Sequence, residues 1–392
     1  MRAGAALGGL LLLLALVAGA RAGVPAVEVS TGLSPSVALD IDEWSRIYVE
    51  GPDALDERPL GQILLPPHPG GEELPLSCSE GCFHEVDVPG GFAESGRIIG
   101  RTVQFGSGGP FVPAPATWSA NGALRTFLAG VGGSYTMYGH VAHGNSGDIF
   151  VGFVPGSGVP VYWSGPAEEP SEFANLGYFS TEKGPYPERI SYAGEIVGNT
   201  EGSALRAAIW KPPSYALEFL GELAGGATSR AHGLDSGGLL VGSSDDGSGD
   251  VAVVWTANGS GYDAIPLPVP AGFAGGSCTQ ATAISNGGRI AGNCTTAGGQ
   301  TRGVIWRKQG ASWAFVRELD PLLADTESAV FGLNESGQAV GRSGDDATDR
   351  AVLWNFAPAP PPVPALSALA LLLLGLGVLW TGRRVLSPIP SW

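Results

Sequence analysis

Leu234-Asp235-Ser236-Gly237-Gly238-Leu239-Leu240-Val241-Gly242, followed after a polar loop by Val253-Val254-Trp255, decides the fold. The first phrase is a hairpin. Asp-Ser-Gly-Gly sits between apolar flanks, and glycine supplies the positive φ that a tight turn demands. The second phrase is a small or apolar run ending in Trp, which reads as a third strand.

Both phrases recur. The first, apolar-x-x-x-Gly-x-apolar-apolar-Gly, returns as Phe92 to Gly100, Ile190 to Gly198, Ile284 to Gly292 and Leu333 to Gly341. A looser copy, Gly147 to Gly152, carries one extra residue, and another, Ile41 to Val49, loses both glycines. The second phrase ends at Trp118, Trp163, Trp210, Trp255, Trp306 and Trp354, spaced 45 to 51 residues apart, and 53 residues before Trp118 lies Leu65 in Gln62-Ile63-Leu64-Leu65. Seven units result. Short apolar segments such as Phe219-Leu220 and Phe315-Val316 supply a fourth strand in each.

A lone four-stranded unit cannot bury both of its faces, so each must lie against the next. The sequence therefore predicts an all-β, seven-bladed β-propeller of four-stranded repeats over residues 23–356. An open β-solenoid or two packed sandwiches are the competing arrangements. The seventh unit has no room for a fourth strand after Trp354, and Val27-Glu28-Val29 has the alternation to provide it and remove two open edges.

Composition sets further bounds. Of 392 residues, 44% are hydrophobic and 15% charged, which excludes a disordered chain. The net charge of −16, with Lys only at 183, 211 and 308, excludes a basic face for nucleic acid.

The two ends read as addresses. Residues 1–22 have Arg2, an apolar run from Leu10 to Val17 and Ala20-Arg21-Ala22, the parts of a secretory signal peptide cut before Gly23. Residues 357–362 form a Pro-rich linker; the charge-free run from Val363 to Trp380 within residues 363–381 has the length of a C-terminal transmembrane helix, and Arg383 and Arg384 in the tail 382–392 belong on the cytoplasmic side.

The run Val363-Pro364-Ala365-Leu366-Ser367, its apolar helix and Gly382-Arg383-Arg384 resemble the C-terminal sorting signals of the PEP-CTERM and IPTL-CTERM type. Ala365 stands where those motifs favour Glu or Thr, and Val385 to Trp392 extends past their usual end. The resemblance implies an exosortase-like sorting enzyme as partner, cleavage near Pro364 and transfer from the membrane to the cell surface, with Val363, Pro364, Leu366, Ser367, Arg383 and Arg384 as the motif. The repeats resemble the HAF-type extracellular repeat over most of residues 38–355, which implies an exported bacterial protein.

Candidate chemistry competes with plainer readings. The repeated Trp slot predicts packing between adjacent sheets rather than an aromatic platform. Four cysteines in an exported chain predict two disulfides. With Asn286-Gly287 as the hairpin centre, Cys278 falls nearly opposite Cys294, while Cys78 and Cys82 close a tight loop of their own, with a metal site including His84 as the alternative. His140 and His143 suggest a metal pair, yet His143 and His232 fill the same repeat slot, so position explains them. The acidic runs 245–250 and 345–349 suit solvated turns better than calcium. No metal, catalytic or cofactor-binding residue, and no cofactor, is assigned.

No nucleophile elbow, phosphate loop or helical His-Glu-x-x-His occurs in the sequence. The expectation is thus a non-enzymatic surface protein binding an extracellular glycan or protein. The alternatives are a glycan-directed propeller hydrolase or lyase, and a small-ligand or calcium-binding module. An enzyme would bring two or more acids, or a His, together at the channel mouth. A binding module would use aromatics outside the repeat slots, of which Tyr135, Tyr138, Tyr162 and Tyr178 are the local excess.

Overall fold

A computed structural model describes residues 24–356 apart from 30–34, 53–58, 67–73, 75–81, 86–91, 93–97, 105–111, 128–149, 155–158, 165–171, 176–182, 192, 202–203, 274 and 346–347. The predicted signal peptide, Cys78, the His140/His143 pair, Tyr135, Tyr138, Tyr178 and the whole C-terminal motif lie outside the described residues. Among the described residues no helix is long and apolar enough to cross a membrane.

The described strands form seven antiparallel sheets. Sheet one holds Val37–Ile41, Ile47–Pro52 and Pro59–Leu64; sheet two holds Cys82–Glu85, Ile98–Gln104, Val112–Trp118 and Leu124–Phe127. Sheet three holds Phe150–Val154, Val159–Ser164 and Glu172–Asn175; sheet four holds Lys183–Ile190, Ile196–Glu201, Leu205–Lys211 and Ala216–Phe219. Sheet five runs Ser229–Leu234, Leu240–Asp245, Asp250–Ala257, Tyr262–Pro266, and sheet six runs Ser277–Ser285, Arg289–Thr295, Thr301–Gln309, Ser312–Leu319. Sheet seven takes Ser328–Leu333, Gln338–Ser343 and Arg350–Asn355 from its own repeat and Val27–Glu28 from the start of the chain. Sheets one and three show three described strands where four are expected; in sheet one Leu74 continues the pattern by donating its amide to the Ile63 carbonyl at 2.8 Å.

The hairpins follow the turn chemistry. Gly194, Gly238, Gly288 and Gly337, the fifth residue of the first phrase in four units, all adopt φ between 69 and 83°, where a side chain would be strained. Asp235 completes its turn by accepting the Gly237 and Leu239 amides on Oδ1 at 2.9 and 2.8 Å, and Asn334 accepts Gln338 in the same way at 2.9 Å.

Neighbouring sheets cover one another with the tryptophans between them. Trp118, Trp210, Trp255, Trp306 and Trp354 are all fully buried. Three of them donate the indole N–H to the chain segment that enters their own sheet: Trp255 to Gly221 O at 2.6 Å, Trp306 to Pro268 O at 2.8 Å and Trp354 to Asp320 O at 2.7 Å. The repeated slot thus buries a large apolar surface and satisfies its one polar atom. Asn199 and Asn293 clamp the next sheet: each amide oxygen accepts the N–H of Ala231 or Val330, and each amide nitrogen donates to the carbonyl of the same residue, at 2.7 to 3.1 Å.

The circuit closes. Val27 and Glu28 pair with Leu353 and Val352, as the alternation at Val27-Glu28-Val29 predicts. Val29, Ala351, Leu353 and Val340 share one core with Ala38, Ile41 and Val49 of sheet one. The contact between sheets seven and one excludes an open solenoid, and the fold is β-propeller-like. Residues 128–149, between sheets two and three, are outside the described set.

In sheet six Cys278 and Cys294 are register partners joined by a disulfide, with Cα atoms 3.8 Å apart. Cys82 opens a strand of sheet two, and its pairing with Cys78 falls outside what the structure describes.

Candidate functional site

The first strand of a sheet faces the axis. Residues from the first strands of sheets one, four, five, six and seven line one axial cavity of about 140 Å³. Deep in it stand Asp40, Arg189, His232 and Thr282, and at the mouth the hairpin turns bring Glu43, Trp44, Asn286 and Glu335.

Every one of these five strands slips register by one residue at the same repeat position. The extra residue is Leu39, Glu188, His232, Thr282 or Phe331. A bulge re-aims the side chains around it. The residue after the bulge is Gly233, Ala283 or Gly332 in sheets five, six and seven, because strands converge there: a Cβ on Gly332 would stand 3.1 Å from the Asp40 Cα and 2.9 Å from Val340 Cγ2. In sheets one and four the same slot holds Asp40 and Arg189, and the two form an ion pair at 3.7 Å between Arg189 Nη1 and Asp40 Oδ2.

Burial governs the electrostatics. It raises the Asp40 carboxyl above the ordinary carboxylate range against the pull of Arg189 and of the Ile41 and Phe92 amides that the carboxyl accepts. Burial likewise lowers Arg189, with Asp40 opposing. His232 is pressed down to about 4 by burial and by the positive charges of Arg230 and Arg189, so its imidazole is neutral at physiological pH. Glu188, which occupies the bulge slot of the neighbouring strand and accepts the Asn199 side chain at 3.3 Å, is raised by burial to about 6.

The mouth is tied together turn by turn. Asn286 Oδ1 accepts the Ser236 amide at 2.7 Å, Glu335 accepts the Asn286 and Gly287 amides, the latter at 2.9 Å, and Glu43 Oε1 accepts the Glu335 amide at 2.9 Å. These acceptors fill one repeat position in successive sheets, and the last bond crosses from sheet seven to sheet one.

Other candidates fall away from this site. In the acidic run 245–250, Asp245 accepts the Gly247 and Ala227 amides at 2.9 and 3.3 Å and Asp246 accepts the Ser248 amide at 2.8 Å. In the second run Asp349 pairs with Arg342 at 2.7 Å, and among the described residues no group of three or more acids, His or Cys is placed to hold a metal. Tyr162 lies in the middle strand of sheet three. Sequence reasoning assigned His232 to its repeat slot alone and missed Asp40 and Arg189; the signal that finds them is their departure from Gly and Ala at one position of the repeat.

No family model and no curated protein matches the chain. Solved structures do. Prolyl oligopeptidase B from Galerina marginata superposes with a TM-score of 0.54 at 9% identity, over 83% of this chain and 48% of that one. A post-proline cleaving enzyme from Rickettsia typhi gives 0.50 at 10% identity over 88% and 54%, and a structure from a study of two prolyl endopeptidases gives 0.50 at 11% over 83% and 50%. The chain spans about half the length of these structures, and at such identity the likeness carries the fold and no catalytic residue.

The expectation of a non-enzymatic surface protein is nevertheless corrected. The solved structures that share this fold are of peptidases, and Asp40, Arg189 and His232 line one cavity, the arrangement expected of an enzyme rather than of a binding module.

Glu188, next in sequence to the cavity-lining Arg189, gives a test of burial at the bulge. A carboxyl raised from 4.5 to about 6 is neutral when folded at pH 4.5 and carries a burial penalty of about 2 kcal/mol once ionised, so this contribution is lost as pH rises from 4.5 through 6. His232 acts in the opposite sense, destabilising as pH falls from 6.5 to about 4, so the comparison must be between variant and parent at each pH. Glu188→Gln should be about 2 kcal/mol more stable than the parent in urea at pH 7.5 and equal to it at pH 4.5. An offset that is the same at both pH values contradicts this placement.

Proposed function

We propose that the chain is an exported seven-bladed propeller that hydrolyses its substrate in the axial cavity. The convergence of Asp40, Arg189 and His232 carries the reading. His232, neutral at working pH, takes a proton from water as the water oxygen attacks the scissile carbon. Asp40, whose protonated form burial favours, gives a proton to the leaving group as the old bond breaks. The carboxylate so formed is compensated by Arg189, 3.7 Å away, and exchange with solvent returns both groups to their starting states.

Asp40→Asn and His232→Gln should each lower turnover by about 10² or more while leaving the melting midpoint within a few degrees of the parent. The parent's rate should rise as pH rises through about 4, where His232 loses its proton. The assay is release of product from neutral polysaccharides, acidic polysaccharides and peptides in parallel. Absence of hydrolysis with all three, or variants as active as the parent, overturns the assignment.

We further propose that the body begins near Gly23 and is held in the envelope by residues 363–381, with an exosortase-like enzyme reading Val363 to Ser367 and the arginines at 383 and 384. Val24 supports the N-terminal part: it is buried, its amide is bound to the Glu318 carbonyl at 2.9 Å, and its own carbonyl accepts from Asp320. In cell fractionation the full chain should sediment with membranes or appear at the surface, and a chain ending at residue 362 should be released to the soluble exported fraction. Identical partitioning of the two contradicts the anchor.

A further inference from the structure

In the first phrase of the repeat the fourth residue is small in five units: Ser95, Ala193, Gly237, Gly287 and Ser336. In sheet one it is Trp44, which is 53% exposed and lines the axial cavity. The next residue, Ser45, takes the left-handed conformation at φ 63° that glycine holds in sheets four to seven. Ser45 is held there by its Oγ, which donates to Gln338 Oε1 of sheet seven at 2.6 Å, whereas Trp44 is left as a large apolar side chain in water. Arg46 lies over the indole at 5.7 Å and is itself fixed by Asp42 at 2.6 Å, which sets the direction of the ring.

We infer that Trp44 is a stacking platform for a sugar ring, and that the cavity takes a neutral polysaccharide. A pyranose offers a face of C–H groups to an aromatic ring and a rim of hydroxyls to its surroundings, so it needs a flat apolar surface bordered by hydrogen-bond acceptors. The mouth has that form. Glu43 and Glu335 stand on neighbouring turns beside Trp44 in the cavity lining. Carboxylates accept hydrogen bonds from hydroxyls and repel a uronate chain. A peptide fits these turns less well: a carboxylate oxygen that accepts one turn amide keeps a second lone pair for a hydroxyl, whereas the Ser236, Asn286, Gly287 and Glu335 amides have no second hydrogen for a peptide carbonyl.

This inference rests on the hydrolase reading only for which cavity is used, and the two can fail separately. Binding is measured with the full chain carrying His232→Gln, by calorimetric titration with a neutral β-glucan hexasaccharide, an oligogalacturonate of equal length and a proline-containing octapeptide. The hexasaccharide should bind best. Adding Trp44→Ala should weaken it at least thirtyfold and Trp44→Phe less than fivefold, while Trp313→Ala, in the outer strand of sheet six and remote from the lining, should leave it unchanged. Tighter binding of the peptide or the oligogalacturonate, or equal affinity with and without Trp44, overturns the inference even where hydrolysis is found. Hexasaccharide binding that depends on Trp44, with no hydrolysis by the parent, retains the platform and removes the reaction.

Discussion

A sheet of three or four short strands has two faces and too little material to cover either, so the contact between one sheet and the next is the interaction on which the rest of this protein depends. Its apolar part is the buried Trp in the third strand of sheets two, four, five, six and seven. Its polar part is equally regular: Ser36, Ser229 and Ser328, near or at the start of their inner strands, accept the amides of Ala351, Ala207 and Gly303 in the preceding sheet at 3.1, 3.0 and 3.2 Å. Each such bond has a net value of only about 1 kcal/mol, but an unmet buried amide costs more, and the repetition fixes how sheets are placed against each other. The bond to Ser36 joins sheet seven to sheet one. The seam is held by the same chemistry as the interior interfaces, with Val27–Glu28 completing the last sheet.

Regular packing creates the cavity, and departures from regularity give it character. Where the inner strands converge, Gly233, Ala283 and Gly332 keep the wall thin. Asp40 and Arg189 at the equivalent position push charged side chains into the space left, and desolvation there moves Asp40 and His232 towards their neutral forms. Those neutral forms are the acid and the base of the proposed hydrolysis. Trp44 repeats the pattern at the rim, as a large residue in a slot meant for a small one.

Much of the fold was legible because it is written in backbone requirements. Glycine at a positive φ and Trp at a third-strand end recur at fixed spacing, and the alternation in Val27-Glu28-Val29 marked the strand that completes sheet seven. The weak first copy, Ile41 to Val49, turned out to be the informative one: it lacks glycine because Trp44 and Ser45 occupy the turn. The site was not legible by motif, since Asp40, Arg189 and His232 are separated by 149 and 43 residues and meet only when the circuit closes. Comparing repeat slots for misfits, rather than for agreement, would have pointed to them.

Amide hydrogen exchange at Ala351 tests the closed circuit most directly, because that N–H faces the seam and its acceptor is Ser36. Closure predicts protection of the Ala351 amide equal to that of Ala207 and Gly303, which make the same bond inside the circuit. Exchange of Ala351 at the rate of an exposed strand edge, with Ala207 and Gly303 still protected, would show an open array in which Asp40 and Arg189 never meet.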